Sequence, residues 1–264
     1  MTDTTEALLG IVDCDRYPLT DPRFHARCKS ELDRDGVLTL EHFLVDKAID
    51  TIRDEGLEYQ HLAYFTSDSH NIYLKPDDSE LPPTHPRNRK VTSSKGCITD
   101  DQIPRGSALR ALYHASAFRG FLCSVLDITQ VYEYADPLSS INLHYADEGQ
   151  ELGWHFDNSS FAITLMIQRP KRGGTFEYVK DVRNADSGEM NYELTEQVLN
   201  GQTPTQTLAM NAGALVLFRG RNSMHRVTPV AGDHTRILAV LAYNTKPGVS
   251  LSESARRTFY GRLG

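Results

Sequence analysis

His155 and Asp157 stand two residues apart in Gly153-Trp154-His155-Phe156-Asp157, and His225 follows 68 residues after Asp157. In an extended strand, side chains at i and i+2 project to one face, so an imidazole and a carboxylate at this spacing can share one metal ion. His225 lies in Ser223-Met224-His225-Arg226-Val227, shortly after the strand-like run 214–219. For all three to meet, the fold must lay two distant strands together and turn these side chains into a common opening. Two imidazoles and one carboxylate close one face of an octahedron and leave the other face open to small molecules.

Alone, the His-x-Asp tripeptide is a weak signal, because ten histidines in 264 residues can produce one by chance. Arg236 strengthens it. It stands eleven residues beyond His225 and opens a second strand-like run, 236–243. Its planar, permanently charged guanidinium suits bidentate grip on a carboxylate. The order His-x-Asp, long interval, His, then Arg on the next strand resembles the Fe(II)- and 2-oxoglutarate-dependent dioxygenases. That resemblance implies Fe(II) held by His155, Asp157 and His225, with 2-oxoglutarate and O₂ as co-substrates and Arg236 on the far carboxylate of the 2-oxo acid. Asn142, on the run leading into the motif, is a further candidate for that acid, and could equally be a strand-edge or turn residue.

The rest of the chain divides by texture. Residues 20–34 and 107–126 carry helix-like spacing, and 45–56 reads as an amphipathic helix stopped by Gly56. Residues 36–44 alternate like a strand. Residues 65–105 are polar and punctuated by Pro76, Pro82, Pro83, Pro86 and Pro104, which reads as a long surface loop or a lid. Its segment 85–90 is the piece expected to close over a ligand. From Tyr132 on, short runs at 139–145, 152–157, 161–168, 174–179, 205–210, 214–219 and 235–243 alternate with glycine and polar turns, the pattern of an antiparallel sandwich or barrel. The expected architecture is α+β: one domain over 1–264, with helical support and lid loop in 1–130 and a double-stranded β-helix (jelly-roll, cupin-like) core in 131–264.

Composition narrows the partners. A net charge of −7 without a basic block gives no reason to expect nucleic acid. No apolar stretch approaches the roughly 20 residues needed to span a bilayer, and the N-terminal residues lack a secretory pattern. Four scattered cysteines without a C-x-x-C pair suit reduced thiols in a cytoplasm. The expected partner is a small molecule, and a homodimer is compatible with the sequence.

A closer resemblance runs from about residue 85 to the C-terminus. The segments 153–157 (GWHFD), 173–178 (GGTFEY), 217–222 (LFRGRN), 225–230 (HRVTPV) and 259–262 (FYGR) are similar to the carrier-independent amino-acid halogenases, best known for lysine chlorination, and their hydroxylating relatives. This resemblance implies a free, polar, cationic amino acid as substrate, met by polar groups near the iron and by a C-terminal aromatic. The positions carried over are Glu133, Asn158, Asn244 and Tyr260, with Arg89 from the lid segment. One departure bears on the reaction. Halogenating members have glycine in place of the motif carboxylate, which vacates a site for chloride, whereas here Asp157 is present. A hydroxylase is therefore expected. Trp154 reads as core and His144 as structural. Three alternatives stay open: a peptide or protein side-chain hydroxylase, a non-catalytic cupin-like metal protein, and a three-ligand zinc hydrolase.

Overall fold

The computed structural model describes residues 8–264; residues 1–7, part of the N-terminal stretch considered for a secretory signal, lie outside the described residues. The first helix, α1 (Pro22–Asp35), is set by its ends: Asp21 accepts a hydrogen bond from the Arg23 N–H at 2.8 Å, Pro22 opens the first turn, and Gly36 closes the last at φ 72°. Phe24, Cys28 and Leu32, four residues apart, form its buried face. Then come β1 (Val37–Leu40) and α2 (Asp46–Tyr59).

Gly56 does not stop α2 but lies buried within it. The Tyr145 hydroxyl donates to the Gly56 carbonyl at 2.7 Å, and a Cβ at Gly56 would touch Leu143 Cδ1 at 3.4 Å. Here glycine lets the helix sit close on the sheet, and its usual role as a helix breaker is overridden by packing.

Residues 65–105 are not a continuous loop. They contain β2 (Tyr64–Asn71) and β3 (Lys90–Ile98), paired residue for residue from Tyr64↔Cys97 to Asn71↔Lys90. Serine, threonine and lysine hid these strands because the hairpin is partly solvated and presents no clean apolar face. Next come α3 (Ala108–His114), α4 (Ser116–Leu126), β4 (Ile141–Ala146), β5 (Leu152–His155), β6 (Ala162–Gln168), β7 (Arg172–Gly173) and β8 (Phe176–Val179). The chain ends with α5 (Tyr192–Leu199), β9 (Gln206–Leu208), β10 (Leu215–Phe218), β11 (Met224–Val227), β12 (Val230–Ala231), β13 (Arg236–Leu241) and α6 (Glu253–Tyr260).

Eleven strands form one antiparallel sheet in the order β1-β10-β6-β13-β4-β3-β5-β11-β8-β9, with β2 also on β3. The sheet curls into a jelly roll. β3 makes the fold-over: along one edge it pairs first with β5 at Ser93↔Leu152 and then with β4 from Gly96↔Tyr145.

Strand parity divides the core. Ile141, Leu143 and Tyr145 of β4, Ile163, Leu165 and Ile167 of β6, Leu215 and Leu217 of β10, and Ile237, Ala239 and Leu241 of β13 pack with the N-terminal helices in one buried cluster. The intervening Met166, Val216, Phe218 and Leu238 form a second cluster inside the roll. With both faces covered, these strands read as continuous apolar runs. Each fully buried aliphatic or aromatic side chain contributes roughly 1.5–3 kcal/mol, so packing of the helical layer dominates over single hydrogen bonds of about 1 kcal/mol. No helix among the described residues is long and apolar enough to cross a membrane.

Candidate active site

The site is assembled where β5 and β11 pair. His155 and His225 are register partners on this ladder, their ring centroids 4.2 Å apart. The strand β5 ends at His155, so Asp157 reaches the same side from the loop beyond. Its backbone N–H donates to the Gly220 carbonyl at 3.0 Å, which holds the turn. Asp157 Oδ1 then lies 3.6 Å from His225 Nε2 and 3.9 Å from His155 Nε2.

The two imidazoles are set alike. His155 Nδ1 contacts the Gly153 carbonyl at 2.8 Å, and His225 Nδ1 contacts the Ser223 carbonyl at 3.0 Å. A carbonyl can only accept, so Nδ1 carries the proton and Nε2 keeps its lone pair toward the shared point. Phe176 stacks on His225 at 5.5 Å and Phe218 meets it edge-on at 4.9 Å. Burial, helped by neighbouring His225, pushes the His155 imidazolium down to about 3, so this ring is neutral near pH 7. Burial raises the Asp157 carboxyl, but the two imidazoles outweigh it and hold the group below the usual carboxylate range.

Ligand atoms of His155, Asp157 and His225 all lie within 4.8 Å of one another. Asp157 Oδ2 is buried without a hydrogen-bond partner. Two bare imidazole nitrogens with Asp157 Oδ1 beside both, on a carboxylate whose other oxygen is unsatisfied, suit a divalent transition metal. Gly220 is required by this crowding: a Cβ there would fall 1.9 Å from Asp157 Oδ2 and 3.0 Å from His225 Cε1.

Beside the triad is a cavity of about 220 Å³ with a largely apolar wall that includes Phe176, Met210, Phe218 and Leu238. Its polar lining, apart from the triad, is Arg236, Lys95, His144 and Thr164. Arg236 is 4% exposed, and its Nε and Nη2 have no partner. Burial lowers the guanidinium to about 10, which leaves it charged near neutrality. A fully buried cation with two free donors fits a carboxylate ligand. His144, read from sequence as structural, lines the cavity instead.

The other expected contacts fall elsewhere. Asn142 is buried, with Nδ2 donating at 2.8 Å to the carbonyls of both Leu138 and Ile141 and Oδ1 accepting from the Tyr260 hydroxyl at 3.1 Å. Asn142 and Tyr260 thus satisfy one another beneath α6, outside the cavity lining. Glu133 is exposed and pairs with His114 and Arg119 on the helical layer. Arg89 donates to Asn200 Oδ1 at 2.5 Å and to the Leu199 carbonyl at 3.2 Å. Its neighbour His85 packs on Tyr192 of α5 at 4.8 Å. Segment 85–90 is therefore fastened to α5 over the outer face of β5 and β11, where Trp154 and Met224 are buried, and not across the cavity. Asn158 is exposed beside Asp157. Asn244 follows β13 on the parity of Arg236, with Nδ2 buried and unpartnered. Sequence reasoning missed Lys95 and Gly220. The run Lys90–Ile98 carried a strand signal in Val91 and Thr92, masked by the prolines before it.

Comparison with known proteins agrees with this geometry. The family model for halogenase D matches residues 20–258. No curated protein sequence matches the chain. Among solved structures, the non-haem α-ketoglutarate-dependent carbocyclase SnoK from nogalamycin biosynthesis aligns with TM-score 0.58 and 12% identity, over 87% of this chain and 89% of that one. A prolyl hydroxylase from Trichoplax adhaerens, bound to a hypoxia-inducible-factor peptide fragment, gives 0.54 and 12% over 86% and 94%. A 2OG-Fe(II) oxygenase-family oxidoreductase from Burkholderia pseudomallei gives 0.52 and 13% over 86% and 93%. At these identities the structural likeness speaks for the fold. With the family match over most of the chain and a His-Asp-His cluster inside the roll, the cofactor set is Fe(II) with 2-oxoglutarate and O₂ as co-substrates. The chain belongs to the halogenase D family and is an Fe(II)/2-oxoglutarate-dependent dioxygenase.

Proposed function

We propose that this dioxygenase hydroxylates a C–H bond of a free polar amino acid, a cationic one such as lysine, and that it acts in the cytoplasm, a placement its four free thiols suit. The observation that carries hydroxylation is Asp157, whose carboxylate stands against both imidazoles where the halogenating relatives have glycine. Occupied by a carboxylate oxygen, that position leaves no vacancy for chloride.

The geometry supports the following roles. His155 and His225 offer Nε2, and Asp157 an oxygen, to Fe(II). Arg236, with two unpaired donors, receives the distal carboxylate of 2-oxoglutarate. Bound iron with its two co-substrates supplies an oxidant able to take hydrogen from an unactivated C–H bond. Phe176, Phe218 and the aliphatic wall keep bulk water from that bond and fix the His225 ring.

The substrate class rests on the family likeness. Glu133, Tyr260 and Arg89 are engaged elsewhere, which leaves Asn158, exposed next to Asp157 in sequence, and Asn244, with Nδ2 buried and unpartnered, as the carried-over residues whose side chains are not paired. Arg221 holds the backbone at Asn158, donating to its carbonyl at 3.1 Å and to Asp186 at 3.0 Å. The test is a mass-spectrometric screen of protein with Fe(II), 2-oxoglutarate, ascorbate, O₂ and pooled amino acids, with and without chloride. Oxygen insertion into one amino acid, matched by succinate and indifferent to chloride, is expected. A chlorinated product would overturn the part assigned to Asp157, and succinate without any changed amino acid would move the search to peptides.

A further inference from the structure

Arg236 alone does not account for the charge of the cavity. Lys95 lines it too, and Asp157 is the one carboxylate among its lining residues. The register places the two cations on one level. Gly96 pairs with Tyr145, so the next residue, Lys95, falls beside Ala146, and Ala146 pairs with Arg236. Three adjacent strands thus present Lys95, Ala146 and Arg236 in one row, with backbones of the outer two about 10 Å apart. The small Ala146 leaves open space between two long cationic side chains.

The Lys95 ammonium has no true acceptor there. Its Nζ lies 3.2 Å from both His144 Nδ1 and His144 Nε2. The nitrogen lone pairs diverge in the ring plane, so a group equidistant from both stands over the ring face and satisfies neither. Burial, then the charges of Lys95 and Arg236, hold His144 well below its ordinary range, so it is neutral and brings no anion to the cluster. Lys95 therefore points unsatisfied donors into the cavity two strands away from Arg236, on the far side of Ala146, and an anionic ligand between them relieves the desolvation of both cations.

We propose that Lys95 is the second cation of the co-substrate pocket, joining Arg236 on the distal carboxylate of 2-oxoglutarate. This rests on the assignment of Arg236 to that carboxylate above. Lys95 is a binding residue in this reading and has no part in metal coordination.

The experiment is anaerobic titration calorimetry of the Fe(II)-loaded protein with 2-oxoglutarate and with 2-oxopentanoate, which has the same chain length but no distal carboxylate. Lys95→Met should weaken 2-oxoglutarate binding about tenfold or more and leave 2-oxopentanoate binding within about twofold of the parent. Lys95→Arg should recover most of the loss, which a fold defect in the methionine variant would not allow. Parental 2-oxoglutarate affinity in Lys95→Met, or equal weakening for both acids, would overturn the proposal. In the first case, a fall in affinity for the amino-acid substrate would reassign Lys95 to that ligand's carboxylate. If the parent protein itself discriminated poorly between the two acids, the Arg236 reading would fall as well, so the two failures are separable.

Discussion

His155 and His225 face one another directly across the β5–β11 ladder, with ring centroids 4.2 Å apart and each Nδ1 tied to the carbonyl two residues before it. The same local device sets both rings, with Phe176 and Phe218 packed on His225 besides, so the two Nε2 atoms converge. Asp157 completes the cluster from outside the ladder, so its replacement breaks no strand.

Asp157→Gly should fold as the parent does, since the loop is held through backbone groups. Fe(II) affinity should fall at least as far as the 10–100-fold typical of losing an outer-shell partner. In chloride, some chlorinated product should appear. Metal titration and product mass spectrometry check both. Hydroxylation at the parental rate in chloride would refute the coordination assigned here.

Gly220→Ala tests crowding at the metal centre. Its Cβ would overlap Asp157 Oδ2, so either the carboxylate swings out or the 218–224 turn shifts. We expect weakened Fe(II) binding and low turnover with little change in far-ultraviolet circular dichroism. Unaltered metal affinity would show that the loop relaxes freely.

Arg236→Gln removes the buried, unpartnered charge in the cavity wall, proposed above to receive the co-substrate's distal carboxylate. Charge-assisted hydrogen bonds are each worth about 1.5–3 kcal/mol, so KM for 2-oxoglutarate should rise roughly 10–100-fold, measured by O₂ consumption. An unchanged KM would place the acid elsewhere.

Acid should loosen the C-terminal helix before the sheet. Arg262 grips Asp101 with bonds of 2.7 and 2.8 Å and Thr99 Oγ1 at 2.6 Å. Partial burial raises the Asp101 carboxyl, but Arg262 and Thr99 outweigh it and hold the group below its usual range. A depressed folded value means that the clamp's contribution is present above the unfolded value of about 3.9 and is lost as pH falls through the folded one. Hydrogen exchange over 253–264, followed from neutral pH to below about pH 4, should show this step, and Arg262→Ala should abolish it by fraying the helix already at neutral pH.

Tyr145→Phe should cost about 1 kcal/mol, by chemical denaturation, through loss of the buried bond to the Gly56 carbonyl. A neutral result would mean that α2 settles closer to the sheet.

Several features were legible because they are local. The i, i+2 spacing of His155 and Asp157 sets their shared side wherever the backbone is extended, and continuous apolar runs such as 236–243 mark strands buried on both faces. The four-residue spacing of Phe24, Cys28 and Leu32 placed α1 within two residues at each end. The parity of Arg236, Leu238 and Val240 toward the cavity also follows from a two-residue period.

What the tertiary structure decided depends on register and on partners distant in sequence. Asn142 shares the inward face of His144, yet Tyr260, 118 residues away, occupies its amide oxygen and takes it out of the site. Glu133 and Arg89 carry suitable charges, but Arg119 and Asn200 satisfy them at the surface. Lys95, in a stretch whose serines and prolines look like loop, reaches the cavity only because β3 folds between β4 and β5. Sequence periodicity determines which way a side chain points along its own strand. Whether that side chain is free to bind depends on which other chain segment reaches it first, and long-range pairing alone decides that.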